Sequence, residues 1–167
     1  MTKWDVACID KGYALLPPKL NSPLATNELL AIGYQESRFI HRAQIVIVNG
    51  EKRKGPARGD WQFERMGGVN GVLEHKSTKI LIRDAMLTLS YPSNMDSRAC
   101  WGAIETDDTL AFCFARLLLY ASPKRLPKLN EMNHGWNCYI DAWRPGKPHP
   151  NTWVDAWSFA ATHNPKD

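Results

Sequence analysis

A chain of 167 residues, 44% hydrophobic and 23% charged, is long enough for one domain with a sizeable core and has an ordinary globular balance. Seven Trp, five Tyr and five Phe argue against disorder, and the longest apolar run, LAFCFARLLLYA, is interrupted by Arg116 well short of a membrane span. A net charge of +4 suits an anionic partner, nucleic acid or an acidic cell envelope, without choosing between them.

The N-terminal MTKWDVACIDK lacks the charged-then-apolar layout of a secretory signal, so synthesis in the cytoplasm is expected. Residues 3–16 predict a short amphipathic helix with Trp4, Ala7, Cys8, Tyr13, Leu15 and Leu16 on its apolar side, ended by PPK. NSPLATNELL opens a second helix, with Thr26 or Asn27 as its cap. In AQIVIVNGEKRKG the β-branched run Ile45–Val48 meets Asn49-Gly50, a hairpin signal, and returns as a polar strand over Glu51–Lys54. GPARGDWQFERMGGVNG reads as a shaped glycine-rich loop leading to a short helix near Val69–His75.

The remainder reads as helical. Ser77 caps TKILIRDAMLTLSY, DSRACWGAI forms a short helix, and Thr106 starts DDTLAFCFARLLLYA with an acidic first turn. NEMNHGWNCYIDAW is amphipathic, RPGKPHPN is a loop, and NTWVDAWSFAATH closes the chain. Seven or so helices with one hairpin make a predominantly α-helical α+β domain over residues 1–167. Cys8, Cys100, Cys113 and Cys138 are far apart, with no CxxC pair, and HExxH is absent, so neither a zinc site nor any other cofactor is expected. Lys52, Arg53, Lys54 and Arg58 form a basic cluster, either a solvated loop or an anion-facing surface.

Glu36 stands out. It shares a helix face with Leu29, Ile32 and Gly33, so its carboxyl sits beside the core, where burial raises its pKa. A carboxylic acid still protonated near neutral pH can give its proton to a leaving oxygen. The structural alternative is an ion pair with Arg38. Ser37 lacks a GxSxG context and reads as a hydrogen-bonding support. Trp136, Trp143, Trp153 and Trp157 fall at helical spacings that suit a core, and WRPGKPHPNTW is either a substrate-side loop or a rigid packing loop.

The pair Glu36-Ser37 followed by GPARGDWQ resembles the lysozyme-like superfamily, particularly soluble lytic transglycosylases and goose-type lysozymes. There an "ES" helix is followed by a hairpin and a GxAxGLMQ loop. Gly55, Ala57, Gly59 and Gln62 match that loop, and Trp61 replaces its Met. A closer likeness is to small bacteriophage endolysins of the same superfamily, in QESRFIHRAQ, GPARGDWQFERMGGVNGVL, ARLLLYASPKRLP and WRPGKPHPNTW. The blocks run in order from about residue 28 to 157.

The resemblance implies a lysozyme-like fold with its hairpin lobe beside the catalytic helix. It implies cleavage of peptidoglycan at the β-1,4 bond between N-acetylmuramic acid and N-acetylglucosamine. Glu36 maps onto the general acid, Gln62 and the glycine-rich loop with Gly59 onto the cleft wall, and Tyr120 onto a cleft tyrosine. Ser37 falls beside the acid, and Trp61 offers a flat ring for a pyranose face. Asp60 is a surface substitution or a second acid. The family's Asn after the tyrosine is Ala121 here.

Hydrolysis needs two carboxylates. Glu51, Asp60 and Glu64 are the candidates, with Glu64 favoured because it lies in a matched block, although it can equally pair with Arg38, Arg58 or Arg65. A transglycosylase needs only Glu36 and releases 1,6-anhydro products. The expected partner is the peptidoglycan glycan strand, met by a monomer that binds no nucleic acid and inserts in no membrane. Release to the wall through a holin is what the likeness implies. A non-catalytic cell-wall-binding phage protein is the rival reading.

Overall fold

Eight α-helices and one three-stranded antiparallel sheet make up residues 7–165, the residues that the computed structural model describes. The protein is α+β with helix predominating. Helix α1 (Ala7–Ala14) buries Cys8, Ile9 and Tyr13 against α6 (Asp108–Ala121). Trp4, expected on the same apolar side, lies outside the described residues.

Helix α2 (Pro23–Ser37) is the axis of the fold. Every residue from Ala25 to Gly33 is buried, so this helix has core on all sides instead of one apolar stripe. It packs on α8 (Trp153–His163), α6 and α7 (Met132–Trp143). Its true cap is Ser22, whose Oγ accepts from the Ala25 amide at 3.1 Å, with Pro23 pre-set for the first turn. Thr26 and Asn27 therefore lie inside the helix, not at its start. Thr26 Oγ1 donates to the Ser22 carbonyl at 3.0 Å and also pairs with the Tyr13 hydroxyl at 2.9 Å.

Strands β1 (Ala43–Val48) and β2 (Glu51–Arg58) form the expected hairpin, with Val48 opposite Glu51. Asn49 and Gly50 both take positive φ, 53° and 80°, as a type I′ turn requires. The return strand runs four residues beyond Lys54. Pro56 is tolerated there because the register slips between Ala43 and Ile45, leaving the ladder irregular where proline offers no N–H. A third strand, β3 (Phe63–Glu64), follows a tight turn and pairs with the end of β2, so six of the seventeen residues of the expected glycine-rich loop are sheet.

Helices α3 (Asn70–Glu74), α4 (Lys79–Thr88) and α5 (Ser97–Ile104) lead to α6. Ser77 does not cap α4. Its hydroxyl pairs with His75 Nδ1, while Thr78 at the cap position turns back to donate to the Val72 carbonyl at 2.7 Å. The cap of α6 is Asp107 in place of Thr106, because its carboxylate accepts from the Leu110 amide at 2.9 Å. All four cysteines are buried free thiols. Among the described residues no helix is long and apolar enough to cross a membrane.

Candidate active site

The last turn of α2 carries three successive polar side chains, and each fastens a different part of the chain. Gln35 Nε2 donates to the His149 carbonyl at 3.0 Å, and its Oε1 accepts from Thr152 Oγ1 at 3.1 Å. Glu36 Oε1 accepts from the Tyr139 hydroxyl at 2.7 Å. Ser37 Oγ donates to the Asp60 carbonyl at 2.7 Å and accepts from the Phe39 amide at 3.0 Å. The helix then stops abruptly, with Arg38 and Phe39 both at φ 55°. Each left-handed non-glycine residue costs about 1–2 kcal/mol, offset here by the Ser37 bonds and by Phe39 packing edge-on to Trp61.

This corner opens into a cleft of about 1200 Å³. It is lined by Gln62, Glu64 and the glycines of the following turn, and by Leu118, Ala121, Tyr139, Asp141 and Trp143. Arg144, Lys147 and His149, in the loop after α7, lie at its edge, so WRPGKPHPNTW is a cleft-side loop. Glu36 lines the cleft and is half-buried. Burial raises its pKa to about 7, the Glu64 charge adds to the rise, and the Tyr139 hydrogen bond opposes both. The C-terminal end of the α2 dipole also disfavours the carboxylate. Arg38 does not pair with Glu36; its guanidinium lies over the Tyr34 ring at 4.6 Å.

Glu64 is a second carboxyl of this cleft, and Asp141 on α7 is a third, which accepts from Ser122 Oγ at 2.8 Å. Glu64 stands on β3, exposed, and makes no ion pair among the described residues. The other two candidates lie elsewhere. Glu51 pairs with Arg53 at the hairpin tip. Asp60 is neither a surface residue nor a cleft acid: it is 8% exposed, its pKa is pushed to about 6 by burial, and its charged neighbours are Asp108 and Arg42.

Several expected binding residues turn out to build the site from behind. Trp61 cannot stack on a sugar, because it is fully buried, packs edge-on to Phe112 and donates from Nε1 to the Leu29 carbonyl at 2.8 Å. Ser37 is buried as well and acts through the Asp60 backbone. Gly59 faces Ile104, not the cleft: at φ 73°, an added Cβ would lie 2.8 Å from Ile104 Cγ2. Gln62 does line the cleft, tied back by Nε2 donating to the Gly59 carbonyl at 2.9 Å. Tyr120 points away from the cleft, and the tyrosine at the acid is Tyr139. The basic cluster is strand, not loop; Arg58 bonds Glu105 at 2.9 Å and lies over Trp101 at 4.1 Å, Lys54 pairs with Glu105, and Lys52 and Arg53 face solvent.

Tyr139 was not legible in sequence, since it sits in the amphipathic pattern of α7 and stacks on Trp153 as a core residue would. Only tertiary packing reveals that its hydroxyl meets Glu36. No family model, curated protein or solved structure matches the chain. Among the described residues no group of three or more His, Cys, Asp and Glu comes together as metal ligands do. Chemically, the cleft brings together one half-buried carboxyl whose pKa is raised to about 7, Glu36, and two others, of which Glu64 is open to solvent and Asp141 is hydrogen-bonded to Ser122.

Proposed function

We propose that the protein is a peptidoglycan-cleaving glycosidase of the lysozyme-like superfamily, with Glu36 as general acid. The observation that carries the reading is the Glu36 carboxyl, half-buried at the end of α2, held by Tyr139 and raised to about 7 in a cleft of about 1200 Å³. Such a group holds a proton at working pH and can pass it to a glycosidic oxygen as the bond to the anomeric carbon breaks. The sequence blocks that resemble phage endolysins agree with this. They converge on the cleft from the end of α2, from β3 and the glycine-rich turn, and from the loop after α7.

Glu64 favours hydrolysis over transglycosylation. A solvent-facing carboxylate on the same cleft can activate water or stabilise the oxocarbenium-like transition state, the second role that hydrolysis requires. A 1,6-anhydro-forming enzyme has no use for it. The substrate is a glycan strand of alternating N-acetylmuramic acid and N-acetylglucosamine, cut at the β-1,4 bond. The biological setting is lysis of a bacterial host from within, after a holin gives a monomeric enzyme access to the wall.

The test is clearance of purified peptidoglycan. Glu36→Gln keeps an acceptor for Tyr139 but has no proton to give, and clearance should fall by about 10²–10⁴-fold. Clearance at the wild-type rate by Glu36→Gln rules out the general-acid role. Binding without clearance by the wild-type chain supports the wall-binding alternative.

A further inference from the structure

Helix α6 divides two concavities. Leu118 and Ala121 face the cleft, whereas Arg116 and Tyr120 face a separate hollow of about 330 Å³ on the other side, with Ser122 at the junction. The hollow is cationic. Lys19 comes from the short helical turn after α1, Arg116 from α6 and Lys124 from the segment that follows α6; the rest of the lining is leucine and hydroxyl, with no carboxylate.

Arg116 is the unusual member. It is 3% exposed, and its Nε donates to the Leu20 carbonyl at 2.9 Å. Its Nη1 is buried and has no hydrogen-bond partner among the described residues. The guanidinium lies 5.9 Å from the centroid of the Tyr120 ring, and Lys19 Nζ lies 5.8 Å from the same centroid, so two cations share one ring with no acid between them. Burial lowers the Arg116 pKa, as expected for a charge with no counter-charge, and the Tyr13 hydroxyl offsets only part of this. An unpaired buried cation is costly, and a methionine or leucine of similar length would fill an apolar site without that cost.

We propose that this hollow binds a phosphate group, with Arg116 Nη1 as its buried donor and Lys19 and Lys124 as the charges at its rim. Three cations arriving from three segments suit a tetrahedral dianion, which accepts donors from several directions. A lone carboxylate needs only one guanidinium fork in its plane. The Tyr120 hydroxyl, which makes no hydrogen bond among the described residues, is a further donor at the same opening. The site is separate from the glycosidase reading and stands or falls without it.

The experiment is an NMR titration of the full chain with inorganic phosphate, set against chloride at the same ionic strength. Saturable shifts confined to Leu20, Arg116 and Tyr120 are expected, including the Arg116 Nε–H resonance. Lys19→Glu with Lys124→Glu, both at exposed positions, should weaken the midpoint by about tenfold or more while leaving the amide spectrum dispersed. Arg116→Gln should abolish the shifts, and if that variant does not fold the lysine pair still decides. A second arm adds glycerophosphoglycerol: competition with phosphate assigns an esterified phosphate as the ligand, and its failure to compete assigns the free ion. Shifts that chloride reproduces, or that persist unchanged in the lysine double variant, overturn the proposal.

Discussion

At Glu36 three forces act on one proton. Burial and the Glu64 charge hold it on, and the Tyr139 hydroxyl, by favouring the carboxylate, loosens it. Tyr139→Phe removes only the loosening force. The alkaline limb of the activity profile should therefore move to higher pH, while the rate at the optimum falls because the carboxyl is no longer held in place. A pH–rate profile of clearance checks both. The same residue has a stability cost. The folded chain keeps the Glu36 proton up to about pH 7, whereas the unfolded chain sheds it near the ordinary glutamate value of 4.5. The acid's contribution is thus fully present below 4.5 and is lost as pH rises through 7. Glu36→Gln should be more stable than wild type by up to about 3 kcal/mol at pH 9 and nearly equal to it at pH 4, read by urea unfolding at the two pH values.

At the scale of elements, α2 shows why an apolar start, Leu29 to Gly33, and a polar end, Gln35 to Ser37, belong to one helix. The first part packs on α6, α7 and α8, and the last turn emerges into the cleft with Gln35 and Glu36. Its burial reaches Glu28, which is fully buried with neither carboxyl oxygen hydrogen-bonded among the described residues, and whose pKa burial raises well above the usual value. Burial thus favours the neutral form of Glu28, which packs beside Gly135, and Glu28→Gln should raise the melting temperature at pH 8 and change it little at pH 4. The turn between β2 and β3 is equally exacting. Gly59→Ala meets both a left-handed backbone and the Ile104 side chain and carbonyl, a loss of roughly 2–4 kcal/mol measurable by thermal or urea unfolding. The hairpin was legible because Asn-Gly dictates its turn chemistry locally. Strand β3 was not, because two residues carry no period, and the caps of α2, α4 and α6 each fell one to four residues from the expected position because several polar residues competed for each end.

For the whole molecule, the acids that burial perturbs act in one direction. Glu28, Glu36 and Asp60 all hold their protons more tightly in the folded chain. Glu131 is held low, to about 2, by Arg125, but the pair lies at the surface and is screened by solvent. Between about pH 4 and 7 the folded state binds more protons than the unfolded one, so the melting temperature should be higher at pH 5 than at pH 8, a comparison calorimetry makes directly. The helix-dominated class and the position of Glu36 could be read from periodicity and from residue type on a buried face. The roles of Trp61, Gly59 and Ser37 could not, because a tryptophan or glycine in a motif looks the same from either side of a cleft wall. Tyr139 joins Glu36 across 103 residues of chain, a contact that no local pattern encodes.

In the proposed reaction Glu36 donates the proton that lets a glycan strand break, and Glu64 completes hydrolysis. Mass spectrometry of purified peptidoglycan digested by the wild-type chain and by Glu36→Gln tests it most directly. Fragments with ordinary reducing ends from the wild type, and almost none from Glu36→Gln, are the predicted result. Fragments lighter by one water contradict the role given to Glu64, and equal release by both proteins contradicts the role given to Glu36.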